Sequence, residues 1–410
     1  MSTARHCAAE RFPVVDGELT LGGVPVTVLA ARAGHTPFYA YDRRLLTQRV
    51  EALRAALPAG ISLHYAMKAN PMPAVVGHMA RLVDGIDVAS GAELLVALDA
   101  GANPSDISFA GPGKSERELG QAVAAGILVN VESMRELHLL DAIARQLRRP
   151  ARVAVRVNPD FELKSSGMKM GGGPKQFGVD AEQVPAVLAA IAGLDGVRFE
   201  GFHIFSGSQN LRAEAICEAQ SKALALAVRL SAHAPAPVTM LNLGGGFGIP
   251  YFPGEIALDL SPIGTHLRGI VESASRQLPS AELVIELGRY LVGEAGIYVA
   301  RVLDRKVSRG EVFLVTDGGL HHHLAASGNF GQVIRKNYPV EIGNRAASGK
   351  RERASAVGPL CTPLDLLADG MDLPEAQPGD LVVVFQSGAY GLTASPTHFL
   401  SHPPPVEMLV

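Results

Sequence analysis

A single lysine follows a short alternating segment early in the chain. Apolar residues alternate with small or polar ones through Ile61–Lys68, which predicts a β-strand that turns Lys68 away from its apolar face. Pro71 then ends the run. A lysine amine in a confined site can lose its proton near neutral pH and attack an aldehyde. Taken alone, Lys68 is more simply interpreted as a surface lysine at a strand end. A catalytic role for Lys68 therefore needs support from other segments.

A triple glycine directly follows another predicted strand. Val238–Leu243 leads into Gly244, Gly245 and Gly246, whose backbone N–H groups can face an anion because no Cβ stands in the way. Loops after the late strands of a barrel commonly bind phosphate, so we predict a phosphate site here. A tight strand-to-helix turn is the alternative. The spacing does not fit the Gly-x-Gly-x-x-Gly pattern of dinucleotide sites.

A carboxylate and a guanidinium stand at the end of the predicted strand Glu282–Glu286 and just after it. Glu286 could keep a pyridine nitrogen protonated, which makes that ring an electron sink for a carbanion, while Arg289 suits a phosphate. A structural salt bridge is the alternative for this pair.

One of the three cysteines is framed by turn residues. Cys361 lies in the segment Gly-Pro-Leu-Cys-Thr-Pro-Leu-Asp and could deliver a proton if its surroundings tuned it. Cys217 lies in a helix-type run and is interpreted as a small core residue, and Cys7 has no such framing. Tyr390 stands beside small residues and could donate to a phosphate oxygen. His321–His323 is not interpreted as a metal site, because consecutive strand residues alternate faces and no partner has ligand spacing.

Strand-type and helix-type runs alternate through the first two thirds of the chain. The predicted strands are Ile61–Lys68, Gly85–Ala89, Ile107–Ala110, Ile127–Val131, Ala151–Val157, Val197–Phe205, Val238–Leu243 and Glu282–Glu286. The predicted helices are Asp42–Leu57, with Asp42 as its cap, Glu93–Ala100, Glu116–Ala125, Met134–Leu147, Ala181–Ala192, Ala213–Ala232 and Leu267–Leu278. Eight strands with helical crossovers predict an α/β fold with a closed (β/α)₈ TIM barrel.

Near residue 290 the sequence changes from alternating strand-type and helix-type runs to mainly strand-type runs, which predicts a second domain. We expect residues 42–290 to form the barrel, and residues 1–41 and 291–410 a mainly β domain that includes β-like stretches at Leu19–Leu29 and Pro37–Tyr41. A formal net charge of -3 gives no nucleic-acid or membrane signal. No apolar run approaches a membrane span and no leader pattern opens the chain, so we expect a cytoplasmic protein. Three scattered cysteines predict neither a disulfide framework nor a zinc site.

Taken in order, eight segments resemble the fold type III pyridoxal-phosphate decarboxylases, the family of ornithine, arginine and diaminopimelate decarboxylases that shares its barrel with alanine racemase. The resemblance covers roughly residues 20 to 400. Its segments are Tyr65–Asn70, Asp87–Glu93, Arg156–Pro159, Gly207–Gln209, Gly244–Phe247, Glu286–Arg289, Gly358–Cys361 and Gly388–Tyr390.

The resemblance implies a pyridoxal 5'-phosphate enzyme in which Lys68 forms the Schiff base, Asp87 helps to position it, and Glu286 holds the pyridinium proton. Arg156 would lie near the ring oxygen of the cofactor. The implied phosphate ligands are Ser208, Gly244, Gly245, Gly246, Arg289 and Tyr390. Cys361 would enter the site from the other subunit of a head-to-tail homodimer and protonate the carbanion left when carbon dioxide departs.

Three positions depart from the family pattern. A histidine normally stacks on the cofactor ring where Phe205 stands here, with His203 two residues upstream, so either could touch the ring. Leu287 replaces the proline of the family's Glu-Pro-Gly-Arg segment, a change that should be tolerable. Relatives acting on ornithine or diaminopimelate carry an acid directly after the cysteine, where Thr362 stands here. A neutral hydroxyl cannot pair with a distal ammonium group, which disfavours a simple dibasic substrate.

The substrate is therefore open at this point. Thr362, Asp365 and Tyr390 are the expected substrate-binding residues, and an amino acid, a modified amino acid or a carrier-protein-bound one remains possible. Lys164–Gly178 together with Cys361–Asp365 is most similar to a subgroup found with exosortase and exopolysaccharide gene clusters. The alternatives to a decarboxylase are an amino-acid racemase on the same barrel, which would use a tyrosine in place of Cys361, and a non-catalytic cofactor-binding regulator.

Overall fold

The computed structural model describes residues 11–161, 168–169, 171–330, 332 and 335–410. Two compact units divide these residues. The barrel unit comprises Arg49–Ile249 and Ala257–Leu291, and the β unit comprises the remaining described residues, from both ends of the chain and from Pro250–Ile256. None of the described helices has both the length and the apolar character needed to cross a membrane.

Eight parallel strands form the barrel unit, as predicted. In chain order they are Ile61–Ala66, Gly85–Val88, Ile107–Phe109, Leu128–Val131, Ala151–Asn158, Val197–Ile204, Met240–Gly245 and Glu282–Leu287. Each strand pairs with its neighbour in this order, and the eighth pairs with the first, which closes the sheet. The closed (β/α)₈ barrel is therefore confirmed. Its closure brings the carboxyl ends of all eight strands to one rim.

Helices connect most of these strands. Those of the barrel unit are Pro73–Met79, Gly91–Asp99, Glu116–Ala125, Met134–Leu147, Val184–Ala192, Ala213–Ser231, Ser261–Gln277 and the single turn Arg289–Val292. Pro73–Met79 was not predicted, because seven residues are too few to show a helical period. Arg43–Ala56 is a further helix, and Asp42 caps it by accepting hydrogen bonds from the N–H groups of Arg44 and Leu45.

Three successive barrel strands are followed by the same helix-initiating signal. Ser90, Ser115 and Ser133 each accept a hydrogen bond from the backbone N–H of a glutamate three residues later. Ser115 and Glu118 complete a reciprocal capping box. This pattern satisfies N–H groups that the first helical turn leaves without partners, so the chain leaves the rim of the barrel at a defined residue.

The predicted strand Ile61–Lys68 is two residues too long. The strand ends at Ala66, and Met67–Ala69 forms a 3₁₀ turn closed by a hydrogen bond from the Asn70 N–H to the Met67 carbonyl. The Tyr65 hydroxyl fixes this turn by donating to the Asn70 carbonyl at 2.7 Å. Lys68 consequently lies on the turn that follows the first barrel strand, and strand parity does not set its direction.

Strands dominate the β unit. They are Val14–Val15, Glu18–Leu21, Val24–Pro25, Phe38–Tyr41, Gly296–Ser308, Glu311–Thr316, Val340–Ile342, Arg351–Val357, Leu366–Pro374, Leu381–Val384 and Val406–Leu409. Phe38–Tyr41 pairs antiparallel with the start of Gly296–Ser308, so an N-terminal segment joins a C-terminal sheet. The β-type prediction for Leu19–Leu29 is wrong in its second half, because Val26–Ala33 is a helix that Pro25 precedes and Gly34 ends with a φ of 80°. Proline pre-sets a helical start and glycine takes the left-handed end.

Candidate active site

Each of the eight barrel strands carries one polar side chain in a shared ring. In strand order these are His64, Asp87, Ser108, Asn130, Arg156, His203, Asn242 and Glu286. His203 and Glu286 show that the ring faces the barrel interior, since their side chains meet although the seventh strand separates their backbones. Side chains on the outer face of a closed sheet diverge and could not meet in this way.

Glu286 is a buried carboxylate of this ring that lies beside Lys68. It is 5% exposed, and its Oε1 lies 3.7 Å from the Lys68 Nζ. Its Oε2 accepts a hydrogen bond from Asn242 at 3.3 Å and lies 3.1 Å from His203 Nε2. Burial by itself raises the pKa of Glu286, but His203, Lys68 and Arg156 together outweigh burial and hold that pKa well below its usual range. Glu286 is therefore an ionised, buried acceptor.

Phe205 and His203 occupy different depths in the site. The Lys68 Nζ lies 5.8 Å from the centre of the half-buried Phe205 ring, whereas His203 is 1% exposed and contacts Glu286. The two rings are 6.4 Å apart and inclined at 64°. The structure thus separates two residues that the sequence left equivalent, with the phenyl ring beside the lysine and the imidazole beside the carboxylate.

The triple glycine forms a loop with no room for side chains. A Cβ on Gly245 would overlap the Glu286 carbonyl oxygen, and one on Gly246 would overlap the Gly207 carbonyl oxygen. Gly244 and Gly246 also have φ values of 70° and 75°, in the left-handed region that favours glycine. The Asn210 N–H donates to the Gly246 carbonyl at 2.9 Å, which joins this loop to the segment after the sixth strand.

Ser208 and Arg289 lie at the same rim as the glycine loop. Ser208 is half-buried in the two-residue strand Gly207–Ser208, and Arg289 begins the helical turn after the eighth strand. Gly288 lets this turn approach the first strand, because a Cβ there would lie 2.9 Å from the Ala66 carbonyl oxygen. A hydroxyl, a guanidinium and a loop whose backbone is bare of side chains therefore lie after three consecutive strands, a set of groups suited to an anion.

A second cluster of charges surrounds Arg156. Its Nη1 donates to the Glu132 Oε1 at 2.9 Å, and its guanidinium lies 5.0 Å from the centre of the Phe177 ring. The buried Lys114 ammonium lies 2.8 Å from Glu136 Oε1 and 4.0 Å from Glu132 Oε1. Burial opposes ionisation of Glu132, but Arg156 and Lys114 lower its pKa overall. This cluster holds Arg156 in place.

Sequence reasoning missed several of these supporting residues. Glu136 could have been suspected from the Ser-x-x-Glu signal that follows the fourth strand. His64 shares its parity with other polar positions of the first strand, which was visible in the sequence. Nothing local to Lys114 indicated that its ammonium would be buried between carboxylates.

The remaining candidates lie in the β unit. Cys361 is exposed, Thr362 is half-buried, and Tyr390 is half-buried 6.4 Å from the ring of Phe330. Asp365 is 3% exposed, and its two carboxylate oxygens accept hydrogen bonds from the N–H groups of Leu320 and Leu360 at 2.6 and 2.9 Å. Both oxygens are thus engaged in closing the loop that carries Cys361.

The structure also shows where the three consecutive histidines and Cys217 lie. His321–His323 lies on a turn, so the strand geometry used to interpret it was wrong, and no metal-binding cluster of histidine, cysteine, aspartate or glutamate occurs among the described residues. Cys217 is only partly buried in its helix. Cys7, Lys164–Gly167 and Met170 lie outside the described residues.

Comparison with known proteins identifies the family of this chain. Residues 43–293 match the family described as pyridoxal-dependent decarboxylase, pyridoxal binding domain. The chain is 41% identical over 400 residues to L-glutamyl-[BtrI acyl-carrier protein] decarboxylase of Niallia circulans, covering 95% of this chain and 92% of that protein. It is 35% identical over 397 residues to diaminopimelate decarboxylase of Aquifex aeolicus, covering 96% and 91%.

A solved structure agrees with these sequence relationships. The structure of diaminopimelate decarboxylase from Helicobacter pylori, complexed with L-lysine, is 28% identical in sequence, has a TM-score of 0.83, and covers 94% of each chain.

The described residues fit the cofactor that this family uses. A buried ionised carboxylate suits a protonated pyridine nitrogen, a lysine 3.7 Å from it suits an aldehyde, and a glycine loop that any Cβ would obstruct suits a phosphate. The cofactor is pyridoxal 5'-phosphate. The chain belongs to the fold type III pyridoxal-phosphate-dependent decarboxylases of the diaminopimelate and ornithine type, and it is an amino-acid carboxy-lyase.

Proposed function

We propose that this enzyme decarboxylates an L-amino acid or an amino-acid derivative, with Lys68 as the residue that binds the cofactor aldehyde and Cys361 as the proton donor. The observation that carries the proposal is the buried Glu286, ionised beside Lys68 and His203. Bound pyridoxal phosphate supplies an electron sink, which lets a carboxyl group leave as carbon dioxide. The side chains of the protein hold that sink in place and manage the protons around it.

Glu286 is proposed to keep a proton on the pyridine nitrogen. A carboxylate can do so only while it stays ionised, and the three cationic or hydrogen-bonding neighbours of Glu286 favour that state. His203 contacts the Glu286 carboxylate and helps to keep it ionised, while the apolar ring of Phe205 lies next to Lys68. Arg156, fixed by Glu132, is proposed to contact the ring oxygen, and Asp87 to position Lys68.

The phosphate is proposed to bind at the loop Gly244–Gly246, together with Ser208, Arg289 and Tyr390. The Gly244 N–H already donates to the Asn242 Oδ1 at 2.8 Å, so the proposed backbone donors are the N–H groups of Gly245 and Gly246. The glycine loop, Ser208 and Arg289 lie at the carboxyl ends of the sixth to eighth strands, where barrels commonly bind phosphate. Tyr390 belongs to the β unit and enters this proposal from the family resemblance alone.

Replacing the proposed lysine tests the central assignment. Lys68→Ala should abolish both the visible absorbance of bound cofactor and carbon dioxide release, because no other amine would bind the aldehyde. Lys222→Ala, which alters a surface lysine paired with Glu218, should leave both unchanged. A Lys68→Ala protein that keeps the cofactor absorbance would contradict the assignment.

Filling the glycine loop tests the proposed phosphate site. Gly245→Ala should weaken cofactor binding roughly tenfold or more, since an added methyl group that meets backbone must displace it at a cost of about 1–3 kcal/mol. Titration of apoprotein with pyridoxal phosphate, and separately with pyridoxal, measures the effect. Gly269→Ala, where an added Cβ meets nothing within 4 Å, is the matched control. Equal losses for both ligands would show that Gly245 does not act on the phosphate.

We also propose that the enzyme is a homodimer whose active sites are shared, with Cys361 and Thr362 supplied by a second copy. Lys68→Ala and Cys361→Ala proteins should each be inactive alone. Mixed under conditions that allow subunit exchange, they should recover up to about a quarter of wild-type activity, because half of a random mixture is heterodimer with one intact site. Recovery that fails despite measured subunit exchange would place both residues in one chain's site.

The substrate is proposed to have a far end other than a simple ammonium group. Thr362 is half-buried and neutral, so it cannot supply the ion pair that a dibasic amino acid would need. A relative of 41% identity is named for a glutamyl group on an acyl-carrier protein. An aminoacyl group held on a carrier protein is therefore the favoured substrate class, ahead of free ornithine or diaminopimelate.

A carbon dioxide release screen tests this substrate class. Free glutamate, ornithine, lysine and diaminopimelate would be compared with glutamyl and other aminoacyl groups on a phosphopantetheine carrier protein. We expect a higher kcat/KM for a carrier-bound group than for the same free amino acid. Thr362→Asp should shift activity towards ornithine or diaminopimelate, since it adds the missing anion. Faster turnover of a free dibasic amino acid by the unaltered enzyme would refute the proposed substrate class.

A further inference from the structure

His64 lies inside the barrel between carboxylates on both neighbouring strands. In the strand register it stands opposite Gly85 of the second strand and Glu286 of the eighth. Its Nδ1 lies 3.1 Å from the Asp87 Oδ1. Gly85 makes room for the ring, because a Cβ at that position would overlap the His64 imidazole. The backbone of the second strand therefore lies directly against His64.

The two carboxylate oxygens of Asp87 differ in the number of hydrogen-bond partners that they have. Oδ1 lies 3.1 Å from His64 Nδ1 and also accepts a hydrogen bond from the Ser108 hydroxyl at 2.5 Å. Ser108 in turn accepts a hydrogen bond from the Asn130 amide at 3.2 Å, which ties the first four strands together. Oδ2 is buried and takes no hydrogen bond from any residue that the structure describes. A buried acceptor without a donor costs free energy, which suggests that a donor arrives in the working enzyme.

We propose that His64 is a positioning residue that acts, as a cation, through Asp87 on Lys68. The imidazolium orients the Asp87 carboxylate by its contact with Oδ1, so that Oδ2 is left to accept a hydrogen bond from the Lys68 amine. Asp87 is the register partner of Ala66, two residues before Lys68, which places the two groups at the same strand ends. This inference rests on the proposed role of Lys68 in binding the cofactor.

The charges around His64 are consistent with this role. Burial lowers the pKa of His64, but the charge of Asp87 and its hydrogen bond, with smaller contributions from Glu282 and Glu286, raise it overall. The cation is thus fully present below the usual histidine value of about 6.5 and is lost only as pH rises through the higher pKa of the folded protein. Any effect of His64 on Lys68 should weaken in that same pH interval, above about 6.5.

Two substitutions separate the charge of His64 from its hydrogen bond. His64→Asn keeps a donor near the Nδ1 position but cannot carry a charge, and His64→Phe removes both. The readouts are the dissociation constant of pyridoxal phosphate and the pH dependence of the visible absorbance of the bound cofactor. His138→Asn, an exposed histidine on the helix Met134–Leu147, is the control. Circular dichroism and thermal unfolding verify that each variant is folded.

The wild-type protein and His138→Asn should show an absorbance transition above about pH 6.5 that is absent from both His64 variants. His64→Phe should also weaken cofactor binding roughly tenfold, while His64→Asn should weaken it less, because the asparagine amide can still donate a hydrogen bond to the Asp87 carboxylate. A wild-type transition that persists in folded His64→Asn would overturn the proposal. So would wild-type affinity in folded His64→Phe. Because neither readout uses turnover, failure here differs from failure of the decarboxylase assignment, which carbon dioxide release tests.

Discussion

The buried charge of Glu286 is the constraint on which the barrel interior depends. An ionised carboxylate with 5% exposure is costly unless cations and donors surround it, and here His203, Asn242 and Lys68 do so from three other segments. Removing one of these partners would leave the buried charge less well compensated. The same arrangement keeps the carboxylate available as a strong acceptor, which is the property that a protonated pyridine nitrogen requires. Stability of the interior and binding of the cofactor therefore rest on the same contacts.

The closed barrel makes this arrangement possible. His203 and Glu286 belong to strands that are not neighbours, yet their side chains meet because the sheet curves around a narrow interior. One polar side chain from every strand fills this layer, where apolar residues would ordinarily pack. The ring divides into a half on the first four strands, linked through Asp87 and Ser108, and a half centred on Glu286. Lys68, on the turn after the first strand, lies beside the point where these halves adjoin.

Much of the architecture could be predicted from local sequence. The helices Glu116–Ala125 and Met134–Leu147 have the predicted bounds, since a serine cap and a regular apolar stripe mark them. The strand lengths were predicted to within about two residues, because parallel strands buried on both faces are short apolar runs bounded by turn residues. Residue alternation alone was misleading at Met67–Ala69 and at Val26–Ala33. A hydrogen bond from the Tyr65 hydroxyl to the Asn70 carbonyl fixes the first as a 3₁₀ turn, and Pro25 precedes the second, which is a helix. Short elements such as Pro73–Met79 carry too few residues to show a period.

The sequence by itself determined the chemistry that this protein can carry: a lysine, a carboxylate, an arginine and a glycine loop, each following a strand in an order typical of one family. Residue type and order suffice for that, because parallel strands in a barrel present their carboxyl ends on one rim. Only the tertiary structure decided which side chains touch. It placed His203 against Glu286 and Phe205 beside Lys68, directed Asp365 to backbone amides, and brought His64 to Asp87. These contacts join residues that are distant along the chain. Within the barrel, curvature and strand register set the distances between them, which no local pattern encodes.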